Sequence, residues 1–448
     1  GPGRNPIARA SIKPRAIQGD SVRHASLWRG LLGVEDAVIE RVEHDPAVGV
    51  VFAHVRPRRD RRMRCGRCGR PSSGYDAGEG RRRWRALDAG TLQVFVEADA
   101  PRVDCPEHGP TVARVGWARH GARHTRVFDD QVAWLATECS KAAVTQLMRI
   151  GWRTVGAIIT RVWADATAGL DRLGGLRRIG IDEISYKRGH RYLTVVVDHD
   201  TGRLVWAGEG RDRATVDRFF TALGPVRCAQ ITHVSADGAG WISAIVAKRC
   251  PQAARCADPF HVVGWATAAL DEVRRQAWNT ARADTATLRA RRSAGKQNDS
   301  TGHAKALTGA RIALWKNPQN LTGPQQVKLA WIAKADPRVY RAYLLKEALR
   351  VVFQLPHDEA IDALEAWISW ARRCRIERFV ALQRKIVRHK TSILAAIKHG
   401  LSNGLIESVN TKIRLITRRA FGFHSAAALV ALAMLTLAGH KPALPGRP

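Results

Sequence analysis

The sequence predicts a multidomain α+β protein. It would combine a small β module built around four metal-ligand residues, a helical helix-turn-helix domain, and an α/β core interrupted by a large all-helical segment. Three observations predict this. The pairs Cys65-x2-Cys68 and Cys105-x2-His108 bracket an alternating strand-like run. Two short amphipathic stretches meet at Ile150-Gly151. From Arg177 the pattern changes to short apolar runs separated by turn and helix signals, and after Val262 to helix alone.

At 448 residues the chain is too long for one typical domain. Lys and Arg number 73 against 40 Asp and Glu, a net charge of +33. Such a charge repels itself unless a polyanion neutralises it, and nucleic acid is the first candidate because each phosphate contact releases a counterion. A GC-rich genome swaps Lys for Arg, but that swap does not create the positive excess. The eight cysteines are scattered, which argues against a disulfide-stapled secreted protein. The longest apolar run, Ala426 to Ala438, is shorter than the roughly 20 residues of a spanning helix and reads as a buried helix. Gly1, Pro2 and Gly3 resemble a protease scar, and no secretory signal follows. The expectation is a soluble, cytoplasmic, reduced protein.

In chain order, residues 1–47 read as a lead-in. Residues 48–115 form the metal-binding module, with strands at Val48–Val55 and Leu92–Ala98. Residues 116–172 read as the helix-turn-helix domain, within a segment 111–170 that reads as helical, with apolar residues recurring every three or four positions from Val127 to Trp163 and Gly151 interrupting them. Residues 173–262 are the first part of the core, with strands at Arg178–Ile184, Tyr192–Val197 and Arg203–Ala207, the last two joined by the turn His199-Asp-Thr-Gly202. Helix Ala214–Leu223, strand Ile231–Ser235, helix Gly240–Arg249 and strand Ala254–Ala257 follow, implying a mixed sheet flanked by helices. Residues 263–398 are a helical insertion in which Ser293–Gly309 is polar and loop-like. Residues 399–448 return to the core.

Four soft or borderline ligands in two close pairs suit tetrahedral Zn²⁺ in a closed, structural site: Cys65, Cys68, Cys105 and His108. The 36 residues between the pairs leave room for two strands. Two unrelated pairs of residues would look the same in sequence. Around this site, Arg56 to Arg85 holds twelve Arg against Asp60, Asp76 and Glu79. Of these, Arg58, Arg59, Arg61, Arg62, Arg81, Arg82 and Arg83 are candidates for phosphate contact; a solvated basic face is the alternative. In the second module Trp152 to Trp163 would be the recognition helix, with Arg153, Thr154 and Arg161 reaching phosphates or base edges, although many helical hairpins bind nothing.

The acidic candidates are Asp182 on the first core strand, Asp237 just after a later one, and Glu407 on a helix near the C-terminus. Neighbouring strands would bring the two Asp into one crevice, where like charges need a cation and hard oxygen ligands suit Mg²⁺ or Mn²⁺. The Glu407 helix would bury Leu405, Val409 and Ile413, with Glu407, Thr411, Arg414 and Arg418 on the other face. Asp residues also end strands as turn formers, and Glu183, Asp198 and Asp258 compete for the same roles.

Together, Gly180-Ile-Asp-Glu183, Lys187-Arg-Gly-His-Arg-Tyr192, Asp198, Asp258-Pro-Phe-His261, Ser402-Asn-Gly-Leu-Ile-Glu407 and Arg418-Arg-Ala-Phe-Gly-Phe423 resemble the DDE transposases of bacterial insertion sequences, most nearly the ISL-three family. The resemblance runs from about residue 25 to 440. It implies a zinc-binding N-terminal segment, a helix-turn-helix and a ribonuclease-H-like catalytic core with a helical insertion, consistent with the 170 positions from Asp237 to Glu407. It implies that Asp182, Asp237 and Glu407 are the catalytic metal-binding carboxylates. Asp258 and His261 match an auxiliary motif, with His261 either contacting a phosphate or packing at a helix start capped by Asp258. His108 departs from the family's common all-cysteine form. The implied activity is binding of terminal inverted repeats in double-stranded DNA, then metal-dependent cleavage and strand transfer into target DNA by a homodimer or higher oligomer on the nucleoid. A DNA-binding regulator and a nuclease of the same fold are the rivals.

Overall fold

The computed structural model describes residues 21–34, 36–236, 240–291, 305, 307 and 309–447. Of the expectations above, Asp237, Gly1–Gly3 and most of Ser293–Gly309 lie outside these residues. The chain divides into two units. One runs to Ala168 and takes in Arg419–Phe423 and the residues from His440; the other comprises Gly169–Arg418 and His424–Gly439.

The first unit opens with helix α1 (Ser21–Leu32) and strands β1 (Ala37–Asp45) and β2 (Val50–Pro57). β1 pairs antiparallel with β2 from Ala37↔Pro57 to Asp45↔Val50, so the expected lead-in supplies the edge strand of a sheet. That sheet continues to β5 (Gln93–Asp99), parallel to β2, and β4 (Arg81–Arg85), antiparallel to β5. Alternation places Val94, Val96 and Ala98 of β5 in the core with Val51, Ala53, Val55 and Trp84. Trp84 meets Trp117 edge-on at 5.6 Å between centroids. A second sheet joins β3 (Ser73–Asp76), β6 (Arg102–Cys105) and β7 (Gly109–Val112).

Helix begins later than the sequence suggests. Residues 113–125 form no helix, and α2 (Arg126–Glu138) starts at Thr125, whose hydroxyl accepts from Phe128 N and caps it. α3 (Lys141–Met148) starts at Ser140, capped in the same way on Ala143 N, and α4 (Trp152–Thr167) buries Val155, Ile158, Ile159 and Val162.

The second unit holds a five-stranded sheet: β8 (Arg178–Lys187), β9 (Arg191–Asp198), β10 (Leu204–Glu209), β11 (His233–Ala236) and β12 (Ala254–Ala257). The spatial order is β10-β9-β8-β11-β12. β9 is antiparallel to β8 and β10, whereas β8, β11 and β12 run parallel. Each of these strands overlaps a stretch read from the sequence; α5 (Arg213–Leu223) and α7 (Gly240–Arg249) do likewise, and the helix Pro225–Cys228, α6, lies between them. Ile179 and Ile181 of β8 join Val196, Phe219, Phe220, Ile242 and Val246 in one core. Strand periodicity therefore turns Gly180 and Asp182 to the opposite face.

After β12, α8 (Pro259–Arg291) leads into helices Arg311–Trp315, Gly323–Ala335, Pro337–Val352, His357–Arg373 and Glu377–His399, which share a core including Leu345, Leu364, Trp367, Phe379 and Ile386. The chain then forms helix Gly404–Arg419, which carries Glu407, and helix Ala426–Leu437. Among the described residues, no helix is long and apolar enough to cross a membrane.

Candidate active site and metal centre

Two tight turns build the metal centre. Gly69 N donates to Cys65 O at 2.8 Å with Gly69 at φ +74°, a backbone state suited to glycine. His108 N donates to Cys105 O at 3.2 Å. These turns bring ligand atoms of Cys65, Cys68, Cys105 and His108 within 4.8 Å of one another. Cys68 Sγ lies 3.7 Å from Cys105 Sγ, and His108 Nδ1 lies 3.7 Å from Cys105 Sγ and 3.8 Å from Cys65 Sγ. A tetrahedron with Zn–S bonds of about 2.3 Å has edges of about 3.8 Å. The cluster therefore has the size of a Cys₃His zinc site, with His108 binding through Nδ1. Hydrogen bonding with His108 lowers the Cys105 thiol to about 6, which favours the thiolate a metal needs. Cys65 and Cys105 are buried, Cys68 is exposed and His108 is half-buried.

The arginines expected to meet DNA separate into two groups. Arg58, Arg59, Arg61 and Arg62 stay exposed. Arg81 and Arg83 alternate onto one face of β4, where Glu97 of β5 lies 3.7 and 2.7 Å away. Arg82 donates to Ala122 O at 2.9 Å. In the helical part, Arg153 is exposed and Thr154 half-buried at the start of α4. The turn before it uses Arg149, at φ +53°, as its left-handed residue, while Gly151 caps α4. Arg161 differs from expectation. Its guanidinium holds the fully buried Asp129 in a two-pronged ion pair, 2.9 Å on each side, because a buried carboxylate without a partner is costly.

Helix Gly404–Arg419, which carries Glu407, lies against β8, which carries Asp182. A Cβ at Gly180 would collide with the Ile406 side chain, so only glycine lets the helix sit this close to the strand. One helical turn on, Asn410 Nδ2 donates to Asp182 Oδ2 at 2.7 Å. Glu407 follows Ile406 and comes three residues before Asn410, beside it on the helix surface, and is half-buried. The buried stripe is Ile406, Val409, Asn410, Ile413 and Ile416; Leu405, expected to be buried, is only partly so. Arg414 and Arg418 are exposed, as expected. Asp237 lies outside the described residues, immediately after Ala236, the last residue of β11, which pairs with Ile181.

The competing carboxylates have other work. Asp198 accepts from Asp200 N at 3.0 Å and Thr201 Oγ1 at 2.6 Å, closing the β9–β10 turn. Glu183 points to the face opposite Asp182, 3.8 Å from Arg211. Asp258 caps α8, accepting from His261 N at 3.1 Å and pairing with His261 Nδ1 at 2.6 Å. This is the packing arrangement foreseen as one alternative for His261, whose side chain is 36% exposed. Burial opposes ionisation of Asp258, but bonds from His261 and from Asn403 N outweigh it and hold the carboxyl below its usual range.

Sequence reasoning missed the polar chain beneath the Glu407 helix. Asp258 Oδ1 accepts from Asn403 N at 3.1 Å, Ser235 Oγ donates to Asn403 Oδ1 at 2.8 Å, and His199 Nε2 lies 2.8 Å from Ser235 Oγ. Asn403 and Ser235 are fully buried. The chain ties the ends of β9, β11 and β12 to the start of that helix. The seating of the helix on β8, by contrast, left two signals in the sequence: Gly180 within an apolar strand, and Asn410 within an apolar helical stripe.

A transposase family model matches residues 179–433, the helix-turn-helix domain of transposase family ISL3 matches residues 113–163, and the zinc-finger of transposases IS204/IS1001/IS1096/IS1165 matches residues 61–108. The chain is 62% identical over 436 residues to the transposase for insertion sequence element IS1557 of Mycobacterium tuberculosis, covering 95% of this chain and 98% of that protein. It is 26% identical over 358 residues to the transposase for insertion sequence element IS1001 of Bordetella parapertussis, covering 76% and 81%. The zinc-finger match and the Cys₃His cluster together support a structural zinc, and the helix-turn-helix match supports DNA binding. The chain belongs to the ISL3 family of insertion-sequence transposases.

Proposed function

We propose that the protein cuts and joins DNA at the ends of an insertion sequence, with Asp182, Asp237 and Glu407 as the catalytic carboxylates and Mg²⁺ or Mn²⁺ as their ions. The observation that carries this reading is the seating of the Glu407 helix on the Asp182 strand, through Ile406 on Gly180 and Asn410 on Asp182. The donor types suit a hard divalent cation: β8 carries the Asp182 carboxylate, the helix seated on it carries Glu407, and a buried amide oxygen, Asn410 Oδ1, has no partner among the described residues. Bound there, such ions activate an attacking oxygen and stabilise a leaving one in an in-line displacement.

The chain's own residues hold this machinery in place. Asn410 orients Asp182, and the Asp258–Asn403–Ser235–His199 chain fixes the start of the Glu407 helix. The mixed sheet around β8 supports a ribonuclease-H-like core spanning residues 173–262 and 399–448, with residues 263–398 as its helical insertion. Arg414 and Arg418 offer positive charge to a DNA backbone. The exposed Arg58, Arg59, Arg61 and Arg62 and the start of α4, with Arg153 and Thr154, suit recognition of terminal inverted repeats. Joining two ends calls for a homodimer or higher assembly on DNA.

The test is incubation with labelled DNA bearing the element's ends, in Mg²⁺ or Mn²⁺, with Glu407→Gln beside wild type. Wild type should nick the ends and transfer them to target DNA, while the variant binds and does neither. Cleavage without transfer would make it a nuclease; binding alone would make it a regulator.

A further inference from the structure

We propose that Asn410 is a positioning residue for the metal site, acting at both ends of its amide. This rests on the reading of Asp182 and Glu407 as metal ligands. Only the NH₂ of an amide can donate to a carboxylate, so the 2.7 Å bond to Asp182 fixes which way the group faces: Nδ2 on Asp182, Oδ1 away from it. That Oδ1 is buried and accepts from no described residue. The residue as a whole is 3% exposed, inside a stripe otherwise made of Ile406, Val409, Ile413 and Ile416.

A buried, unsatisfied carbonyl is unfavourable, and an apolar residue there would pack the helix without that penalty. The polar choice makes sense if the amide has two tasks. Nδ2 holds Asp182 in one orientation. Oδ1 accepts from water, and a water on a divalent cation is a strong donor because the cation draws charge from its O–H bonds. Asn410 sits one turn beyond Glu407, so the helix that carries one carboxylate also aims the other. The spacing Glu407-x2-Asn410 would thus couple two parts of the site separated by 228 positions between Asp182 and Asn410.

The experiment is a Mn²⁺ titration of the full, zinc-loaded chain, read as the gain in Tm with metal and as the half-saturating Mn²⁺ for cleavage of end DNA. The variants are Asn410→Leu, close in volume, and Asn410→Ser, which guards against a folding failure of the first. Expected is a half-saturating Mn²⁺ raised about 10-fold or more in both readouts, with metal-free DNA binding unchanged. A merely structural role would lower the metal-free Tm and leave the half-saturation where it is in wild type, and that result overturns the proposal. Asp182→Asn separates the two levels. If it keeps the wild-type Mn²⁺ response, or if wild type shows none, the metal reading of Asp182 fails and this proposal falls with it. If Asp182→Asn loses the response while both Asn410 variants keep it, the metal reading survives and only the role of Asn410 is refuted.

Discussion

Asn410 donates to Asp182 across 2.7 Å, joining a helix near the C-terminus to a strand 228 residues earlier. That bond, with the close packing of Ile406 on Gly180, seats the helix that carries Glu407 on the strand that carries Asp182.

Gly180→Ala places a methyl group where Ile406 and the His199 ring already are. Overpacking of this sort costs about 1–3 kcal/mol, a fall in Tm of roughly 3–10 °C. Ile406→Ala in the same chain should recover part of the loss, since neighbouring sites couple. A Gly180→Ala variant as stable as wild type in thermal unfolding would contradict the close approach.

Zinc should be present at one per chain by elemental analysis and fall towards zero in Cys65→Ser. The first shell is then incomplete, and the module's folding depends on it. Affinity for end DNA should fall with the metal. Full zinc content in the variant would remove the assignment.

Arg161 and Arg153 lie on one helix but should behave oppositely. Arg161→Ala leaves Asp129, which is fully buried, with a weaker set of partners, and breaking such a pair costs about 3–5 kcal/mol. Arg153→Ala should leave Tm unchanged and weaken DNA binding, with the salt dependence of affinity reduced by about one counterion. A reversal of these phenotypes, in melting and in salt-titrated binding, would mean that Arg161 is the DNA contact.

Burial, aided by Arg161, Arg85 and Arg123, lowers His124 to about 4 from its usual 6.5. Between those values the unfolded chain binds a proton that the native state does not. The stability contributed by neutral His124 is therefore present above about pH 6.5 and is lost as pH falls towards 4, by roughly 3 kcal/mol in all. His124→Gln should flatten this part of the stability profile in urea unfolding; an unchanged slope would count against it.

Much of this was legible in the sequence, for physical reasons. The zinc ligands are local, two pairs on tight turns, so spacing alone exposes them. Strands β8 to β12 alternate or run apolar between turn residues, and periodicity finds them. What stayed hidden depends on tertiary contact. Arg161 looks like any basic residue on a recognition helix until Asp129, 32 positions away, comes to face it. The buried stripe of the Glu407 helix was misjudged by one residue at its start, because Leu405 and Ile406 are equally apolar and only the close approach at Gly180 selects Ile406. Residues 37–45 looked like a lead-in because an edge strand with one wet face has a weak pattern; pairing with β2 reveals it. The chain from His199 to Asp258 joins elements far apart in sequence, so no local signal announces it.

The central claim is that three acids distant in sequence surround one cation site. Fe²⁺ put in place of Mg²⁺, with ascorbate and peroxide, cuts a polypeptide close to where the iron is bound. The account predicts backbone cuts clustered near Asp182, Asp237 and Glu407, suppressed by excess Mg²⁺ and absent in Asp182→Asn. Cuts at only one of these positions, or cuts that Mg²⁺ does not suppress, would contradict it.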